Sequence, residues 1–387
     1  MIKVVTQLEH LFVVSLVIKN EPVGLAGQRA FYWRETTDAQ PFETGIQRVT
    51  RRLADGLIRC GVDLVPVGWD PWKRLPRLPD SAGSSLDADW LLVPEIPMTV
   101  LSEDLDPIQL ARAYGLRSAA IVHDLIPVRL AHLYDAGARA LFRRYFRMFA
   151  GADLVLATTN LVASQLRAHL HAEGLTLPPI TVVPLPAQFA DVPRVQEARA
   201  ICRPGDPLRL ITVSTWEPRK NLPRLLRSVL LAQDRSGHPI HLTLVGRRGG
   251  YLKHDAEVDA LLAANPNATA RDQVGDHELA DLYARCHASV YTSCDEGFGM
   301  PVLESLWLGR PCLCHTGSAM AEVAPGGGTL MLDMSDEVAI ADALVRMSAG
   351  PGLLDKLTDE VLARPLRTWD EYATDVADHL WMTAKRV

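Results

Sequence analysis

Short apolar runs alternate with longer amphipathic segments through most of the 387-residue chain. Apolar runs of about four to eight residues between turn residues are typical of buried strands, and the amphipathic segments between them predict covering helices. We therefore predict an α/β protein with parallel sheets. The predicted strands cover residues 30–33, 64–67, 90–93, 119–122, 154–157 and 180–183 in the first half, and residues 208–213, 240–245, 289–292 and 312–314 in the second half.

The pattern breaks in residues 184–207, where proline, alanine and charged residues predict a linker with one short helix. Two doubly wound halves would place the carboxyl ends of both sheets across one cleft, where ligands bind in such folds. We expect one Rossmann-like domain in residues 1–185, a second in 186–365, and a terminal amphipathic helix in 366–387. For residues 1–29 an extra edge strand, a membrane-touching segment and a partly disordered arm all stay open.

Composition narrows the class of protein. Apolar residues make up 48% of the chain and charged residues 22%, which is ordinary for a soluble globular protein. The net charge of −6 argues against general nucleic-acid binding. Six cysteines without C-x-x-C spacing predict reduced thiols in a cytoplasmic protein. The longest apolar run, residues 11–18, is shorter than the roughly twenty residues of a membrane span, so we expect a soluble or peripheral protein.

The most informative motif joins the predicted strand 289–292 to a helical pattern. It contains two glutamates, Glu296 and Glu304, separated by seven residues, with a Gly-rich turn between them. Pro301 suits the start of a helix, where its missing N–H is no loss. Free backbone N–H groups at such a helix start attract oxyanions and sugar hydroxyls. The motif therefore predicts one carboxylate for a reacting sugar and another for a ribose diol.

This segment resembles the nucleotide-sugar site of the retaining family 4 glycosyltransferases of GT-B fold. The resemblance implies that Glu296 contacts the transferred sugar and that Glu304 holds the ribose hydroxyls. It also assigns donor contacts to the turn between them, Gly297, Phe298, Gly299 and Met300. A plain strand–turn–helix with two solvated acids is the simpler alternative. A dinucleotide-binding turn is disfavoured, because that fingerprint requires a glycine at the position of Val302.

A cationic turn follows the predicted strand 208–213. Arg219 and Lys220 come after a proline and before a helical pattern, where two cations can neutralise a diphosphate leaving group. The resemblance assigns the phosphate-binding lysine of the family to Lys220. A common family pattern has arginine five positions earlier, where this chain has Thr215, so the role of Arg219 stays open. A helix start with surface charges is the alternative.

Four weaker motifs agree with the same family. His123 and Asp124 follow a predicted strand, and the resemblance assigns contact with the transferred sugar to His123, while Asp124 is expected to brace the loop. Gly45 and Arg48 open a helical pattern in the first half, and the resemblance places the loop with Gly45 close to the diphosphate. A simple chain turn is the alternative for Gly45, and ligand and surface roles are both open for Arg48. In the second half the resemblance places further donor contacts at Thr316, Gly317, Ser318 and Val274.

Two other features have competing interpretations. The pairs Asp87/Asp89 and Asp104/Asp106 match the metal-binding Asp-x-Asp of another glycosyltransferase fold, but both pairs are far from the donor motifs and are expected to be solvated. Arg139, Arg143, Arg144 and Arg147 recur at helical spacing, which fits either a basic face on anionic lipid or a solvated helix surface.

We therefore expect a metal-independent hexosyltransferase of GT-B fold with no cofactor. The expected donor is a nucleoside-diphosphate sugar, with GDP-mannose or a related GDP-sugar favoured over a UDP-sugar. The expected acceptor is a glycan or a lipid-linked saccharide, with peripheral contact at the inner face of the plasma membrane. A sugar-nucleotide epimerase or hydrolase, or a non-catalytic nucleotide-sugar-binding protein, is the alternative.

Overall fold

The computed structural model describes residues 27–39, 44–70, 72–73, 75–77, 88–197, 205–272 and 274–381. Most of the extension predicted in residues 1–29 and the last residues of the chain therefore lie outside the described residues. The same holds for Asp87 and for part of the predicted linker.

The first half forms a seven-stranded sheet. In chain order its strands are β1 (Arg29–Trp33), β2 (Asp63–Asp70), β3 (Leu75–Arg77), β4 (Trp90–Val93), β5 (Arg117–Val122), β6 (Leu154–Ala157) and β7 (Ile180–Val182). Their spatial order is β3-β2-β1-β4-β5-β6-β7. All neighbours pair in parallel except β3, which runs antiparallel to β2 at the sheet edge. The described helices of this half are α1 (Glu35–Ala39), α2 (Gly45–Arg59), α3 (Met98–Ser102), α4 (Pro107–Ala113), α5 (Ile126–Arg129), α6 (Ala136–Met148) and α7 (Asn160–Ala172).

The second half forms a six-stranded parallel sheet. Its strands are β8 (Leu208–Val213), β9 (Ile240–Val245), β10 (Ala268–Arg271), β11 (Ala288–Tyr291), β12 (Cys312–His315) and β13 (Thr329–Leu332), in the order β10-β9-β8-β11-β12-β13. The described helices are α8 (Leu222–Ser236), α9 (Leu252–Ala264), α10 (Asp276–Arg285), α11 (Met300–Trp307), α12 (Met320–Val323), α13 (Glu337–Ser348), α14 (Pro351–Ala363) and α15 (Trp369–Trp381).

Both sheets reverse their strand order once, and these reversals position the site. In the second sheet the reversal lies between β8 and β11, and in the first it lies between β1 and β4. Loops diverge at such a switch point and leave a crevice at the carboxyl ends of the strands. The loops after β8 and β11 contain the cationic turn and the two-glutamate motif, so both motifs meet at one crevice.

Helix α15 returns to the first half and packs on α2. A Cβ atom added at Gly56 of α2 would lie 2.6 Å from the Cβ atom of Ala373, so only glycine permits this close approach. The indole Nε1 of Trp381 donates a 3.1 Å hydrogen bond to Asp89, which immediately precedes β4. Trp369 is fully buried and donates to the carbonyl of Gln188. The two halves therefore share a continuous apolar contact on this side.

Candidate functional site

The carboxylate of Glu296 is the centre of the site. Four donors surround its Oε1 atom: Lys220 Nζ at 2.5 Å, Ser293 Oγ at 2.5 Å, the Tyr291 hydroxyl at 2.7 Å and Arg219 Nη1 at 2.8 Å. The side chains of Glu296 and Lys220 keep only 10% and 9% of their surface exposed. The structure therefore brings the predicted acid and both predicted cations into one buried cluster.

This cluster fixes the charge of Glu296. Burial alone would raise the pKa of the carboxyl group, because a charged group is costly to desolvate. The charges of Lys220 and Arg219, together with the hydrogen bonds, outweigh burial and lower the pKa of Glu296 to about 2. Glu296 is therefore an anion at neutral pH.

The cationic turn is held in place by the end of β11. Asn221 has a left-handed backbone with φ of +58°, which ends the turn and begins α8. The Thr292 hydroxyl donates to the Lys220 carbonyl at 2.8 Å, and the Cys294 N–H donates to the Arg219 carbonyl at 3.0 Å. Both cations are thus positioned by backbone contacts between the loops after β8 and β11.

The Gly-rich turn between the glutamates lies directly against the first half. A Cβ atom at Gly297 would lie 1.9 Å from the His123 carbonyl oxygen, so no larger residue fits without a shift. Gly299 has φ of +94° and precedes α11, in which Met300 and Pro301 are the first residues. Phe298 is buried in the core.

The turn after β12 supports the same loop. Ser318 has a φ of +59°. Its hydroxyl accepts a 2.8 Å hydrogen bond from the Glu296 N–H and donates a 2.9 Å hydrogen bond to the Glu296 carbonyl. Thr316 donates its N–H to Leu332 at the end of β13, and Gly317 packs closely on the His315 ring. The predicted cradle is therefore adjacent to Glu296.

The second glutamate lies one turn into α11 and pairs with the first half. Arg48 of α2 reaches Glu304 at 3.1 Å and Asp276, at the start of α10, at 2.6 Å. Arg48 is therefore neither a solvated surface residue nor isolated from the donor motifs. Gly45 faces Met300, whose sulfur would lie 3.6 Å from an added Cβ atom.

Three other predicted residues have mainly structural contacts. The His123 ring donates from Nε2 to the Pro94 carbonyl at 2.7 Å, which leaves Nδ1 as its acceptor atom. Burial lowers the pKa of His123. Asp124 accepts from the Ile126 N–H at 2.9 Å, as expected for a residue that braces the loop. Val274 is partly buried against the core beside α10.

Sequence reasoning missed three side chains of the site. Tyr291 and Ser293 flank the end of β11 and bind Glu296, but a tyrosine in an apolar run carries no separate signal. Arg129 of α5 donates to Asp295 at 2.6 Å. This contact joins residues 166 positions apart, which no local pattern indicates.

The rival metal motifs have other partners. Asp89 accepts from Trp381, Asp104 pairs with Arg144 at 2.6 Å, and Asp106 caps α4. Within the described ranges, no three His, Cys, Asp or Glu side chains are grouped so that they could hold a metal ion.

Helix α6 carries the predicted arginines on its outer face. Arg139, Arg143, Arg144 and Arg147 are exposed, whereas Tyr145, Phe146 and Met148 are buried. Arg144 pairs with Asp104, and Arg147 lies 3.3 Å from Glu173. In the part of the chain that the structure describes, no helix combines the length and apolar character needed to cross a bilayer.

The chain is similar to known glycosyltransferases. Residues 207–349 match the family model "Glycosyl transferases group 1". The chain is 25% identical over 326 residues to the serotype-specific mannosyltransferase WbdA of Escherichia coli, covering 73% of this chain and 38% of that protein. It is 33% identical over 135 residues to the O-antigen chain mannosyltransferase B of Escherichia coli, covering 33% of this chain and 34% of that protein.

The fold resembles that of sucrose-phosphate synthase from Thermosynechococcus elongatus. The TM-score is 0.69 at 18% identity, with 93% of this chain and 100% of that chain covered. The fold is therefore GT-B, and residues 207–349 in the second half match a group 1 glycosyl transferase domain. The chain spans less than two fifths of the length of the two mannosyltransferases it matches.

Proposed function

We propose that this protein transfers a hexose, mannose or a closely related sugar, from a nucleoside-diphosphate donor to a hydroxyl group. The proposed donor is a GDP-sugar, and the proposed acceptor is a glycan or a lipid-linked saccharide. Similarity to two mannosyltransferases supports the choice of sugar. We further propose that the reaction retains the anomeric configuration, as in the family 4 glycosyltransferases that the donor motifs resemble.

One observation carries this proposal. Lys220, Arg219 and Glu296 converge at the switch point of the second sheet, inside the segment that matches the group 1 family model. Two buried cations next to the start of α11 suit a diphosphate, because cations and helix N-termini both stabilise oxyanions. An ionised acid beside them suits the hydroxyls of the attached sugar.

In the proposed reaction the acceptor attacks on the face that the leaving group departs from. The acceptor oxygen bonds to the anomeric carbon, the bond from that carbon to the β-phosphate oxygen breaks, and the acceptor proton passes to the departing phosphate. Lys220 and Arg219 stabilise the growing negative charge of the diphosphate. Glu296 orients the sugar, and Glu304 holds the ribose hydroxyls once the nucleotide enters beside Arg48.

The test is transfer from labelled GDP-mannose, with and without a saccharide acceptor, by the wild type and by Lys220→Ala. Removing a single stabilising donor lowers turnover by about 10²–10³ in comparable sites. Lys356→Ala is the matched control, because that lysine is 72% exposed on α14 and should retain full activity. Circular dichroism checks that both variants keep the fold.

Three results would contradict the proposal. If Lys220→Ala were as active as the wild type, the cationic turn would have no role in transfer. Donor consumption without glycoside formation would identify the epimerase or hydrolase alternative. Donor binding with no turnover would identify a nucleotide-sugar-binding protein. Metal independence is tested in the same assay, since EDTA should leave transfer unchanged.

Peripheral membrane contact is a separate part of the proposal. The exposed arginines of α6 form a basic face, and clusters of arginine near a membrane attract anionic lipid headgroups. Such a face would keep a lipid-linked acceptor close to the cleft.

A further inference from the structure

A buried acid that the proposed reaction does not use lies at the switch point of the first sheet. Glu95 follows β4 and is only 1% exposed. One oxygen of its carboxylate accepts from the Thr36 N–H at 2.7 Å, and the other accepts from the Thr37 N–H at 2.7 Å. The Thr37 hydroxyl donates to that second oxygen as well. Glu95 therefore ties the loop after β4 to α1, the short helix after β1.

The two neighbours of Glu95 in the chain extend this connection. The Ile96 carbonyl accepts from the Thr36 hydroxyl at 2.8 Å, so α1 holds two consecutive residues of the loop. On the other side of Glu95, the Pro94 carbonyl accepts from Nε2 of His123 at 2.7 Å. Three consecutive residues therefore join α1 to the imidazole ring that is proposed to contact the transferred sugar.

The Pro94 carbonyl determines which ring nitrogen of His123 carries the proton. A carbonyl oxygen can only accept, so Nε2 carries the proton and Nδ1 is the acceptor. Burial lowers the pKa of His123, so the ring is neutral at neutral pH and its tautomer depends on such contacts. If the Pro94 carbonyl moved, the ring would lose the contact that selects its tautomer.

An acid in this place costs free energy. Burial raises the pKa of Glu95 to about 7, because a carboxylate is poorly solvated there. A neutral amide would avoid that cost, but it has only one oxygen and could not accept from N–H groups on both sides. Acids with strongly shifted pKa values are concentrated at functional sites. The location of Glu95 therefore favours a role beyond packing.

We propose that Glu95 is a positioning residue for sugar transfer, which acts by holding the Pro94 carbonyl against the His123 ring. Through this carbonyl it fixes the tautomer and the orientation of the ring at the carboxyl end of β5. This inference rests on the proposed function, because the position of the ring affects turnover only if His123 contacts the sugar.

Two variants weaken the loop at different points. Glu95→Gln replaces one carboxylate oxygen by an NH2 group, so one of the two backbone donors loses its acceptor. Thr36→Val removes the hydroxyl that holds the Ile96 carbonyl and leaves the acid in place. The matched control is Asp153→Asn, because Asp153 accepts from the N–H and the hydroxyl of Ser118 at 2.7 and 3.0 Å. These control residues lie at the amino ends of β5 and β6, away from the cleft.

The test is a double-mutant cycle with His123→Ala, using the same donor and acceptor as for Lys220→Ala. In the presence of His123, Glu95→Gln and Thr36→Val should each lower kcat by about 2- to 150-fold, the usual range for residues that are coupled. In the His123→Ala background both changes should have little further effect, because the ring that they position is absent. Asp153→Asn should match the wild type in kcat.

A second readout follows the ring itself. Nitrogen-15 NMR of histidine-labelled protein distinguishes the two neutral tautomers, and the signals of His123 are those that disappear in His123→Ala. The wild type and Asp153→Asn should show protonated Nε2 at neutral pH. Glu95→Gln and Thr36→Val should show a mixture of the two tautomers, which a general loss of stability would not produce.

The proposed role of Glu95 is overturned if Glu95→Gln and Thr36→Val lower kcat equally with and without His123. It is also overturned if both variants keep the wild-type tautomer. If the wild type transfers no sugar, or if His123→Ala keeps the full kcat, the proposed reaction or the proposed contact of His123 is wrong. The NMR comparison then still decides whether Glu95 positions the ring.

Discussion

A single oxygen atom of Glu296 receives more donors than one carboxylate oxygen can fully satisfy. Two of those donors are the buried cations Lys220 and Arg219. When a diphosphate enters, its oxygens offer the same cations new acceptors, and Glu296 can turn to the hydroxyls of the sugar. The cluster therefore holds both cations buried, paired and oriented, which is the arrangement that electrostatic stabilisation of the proposed leaving group requires.

The depressed pKa of Glu296 predicts a pH dependence of stability. The pKa falls from 4.5 in the unfolded chain to about 2 in the folded protein. The stabilisation is therefore complete above pH 4.5 and is lost as the pH falls through 2. Between pH 5 and pH 3 the loss is roughly 2 kcal/mol. The free energy of unfolding of Glu296→Gln, measured in urea at pH 5 and at pH 3, should not show this loss.

The same variant separates catalysis from binding. Glu296→Gln should lower kcat by about 10²–10³ while GDP affinity changes little, because the acid is proposed to contact the sugar. The control is Glu360→Gln, which removes a carboxylate that accepts from the Gly328 N–H within the second half. If Glu296→Gln kept full activity and the wild-type pH dependence of stability, Glu296 would not be the acid that contacts the sugar.

At the same scale, some contacts could be predicted from sequence and others could not. Lys220 and Glu296 follow strands that are neighbours in a parallel sheet, so their meeting at one edge follows from the topology. Arg129 reaches Asp295 only because two domains close on each other, and no periodicity indicates that. The same is true of the pair Arg48 and Glu304.

At the scale of elements, apolar runs identified the buried strands and missed three of the four edge strands. All ten predicted strands are confirmed within a few residues. The unpredicted strands β3, β10 and β13 lie at sheet edges, where β10 is mostly exposed and β3 contains Pro76. Edge strands are covered on fewer sides, so β3 and β10 lack a continuous apolar run, whereas β13 has the short apolar run of residues 330–332 and was not predicted.

Helix α6 leads to a prediction about membranes at this scale. Arg139 and Arg143 are exposed on α6, and each arginine near an anionic surface contributes about 1 kcal/mol of attraction. The double variant Arg139→Glu/Arg143→Glu should therefore bind vesicles of phosphatidylglycerol more weakly than the wild type in co-sedimentation. Added salt should weaken wild-type binding as well, because it screens the attraction.

The matched control changes the same net charge elsewhere. Arg346→Glu/Lys356→Glu replaces two exposed cations of α13 and α14. If both double variants lose vesicle binding equally, only total charge matters and the face on α6 is not a membrane contact.

At the scale of the whole molecule, two sheets with switch points facing one cleft explain why the site needs both halves. The second half supplies Lys220, Arg219 and both glutamates, and the first half contacts their loops through Arg48, His123 and Thr158. The two parallel α/β halves were predictable from the alternation of strands and helices, and the GT-B fold from the family resemblance of the motifs, but the contacts across the cleft were not. These contacts depend on the relative placement of the two sheets and their loops.

The identity of the donor can be tested by how much each candidate raises the thermal stability of the whole molecule. A ligand that binds only the folded protein stabilises it by about 2.7 kcal/mol at a hundredfold excess over Kd. In a thermal-shift panel of GDP-, UDP- and dTDP-sugars, we expect GDP-mannose to raise Tm most. The reason is the resemblance of the donor motifs to GDP-mannose-dependent enzymes.

Repeating the thermal-shift panel with Lys220→Ala tests whether the donor binds at the proposed site. That variant should have a lower Tm without ligand, because the buried Glu296 loses one of its paired cations, and should also lose most of the donor-induced shift, because the ammonium group no longer meets the diphosphate. Lys356→Ala should retain the whole shift. A larger shift with a UDP- or dTDP-sugar would show that the donor base is not guanine, while the proposed site would stand. If the donor-induced shift persists in Lys220→Ala, the nucleotide binds away from the crevice between β8 and β11, and the proposed site is wrong.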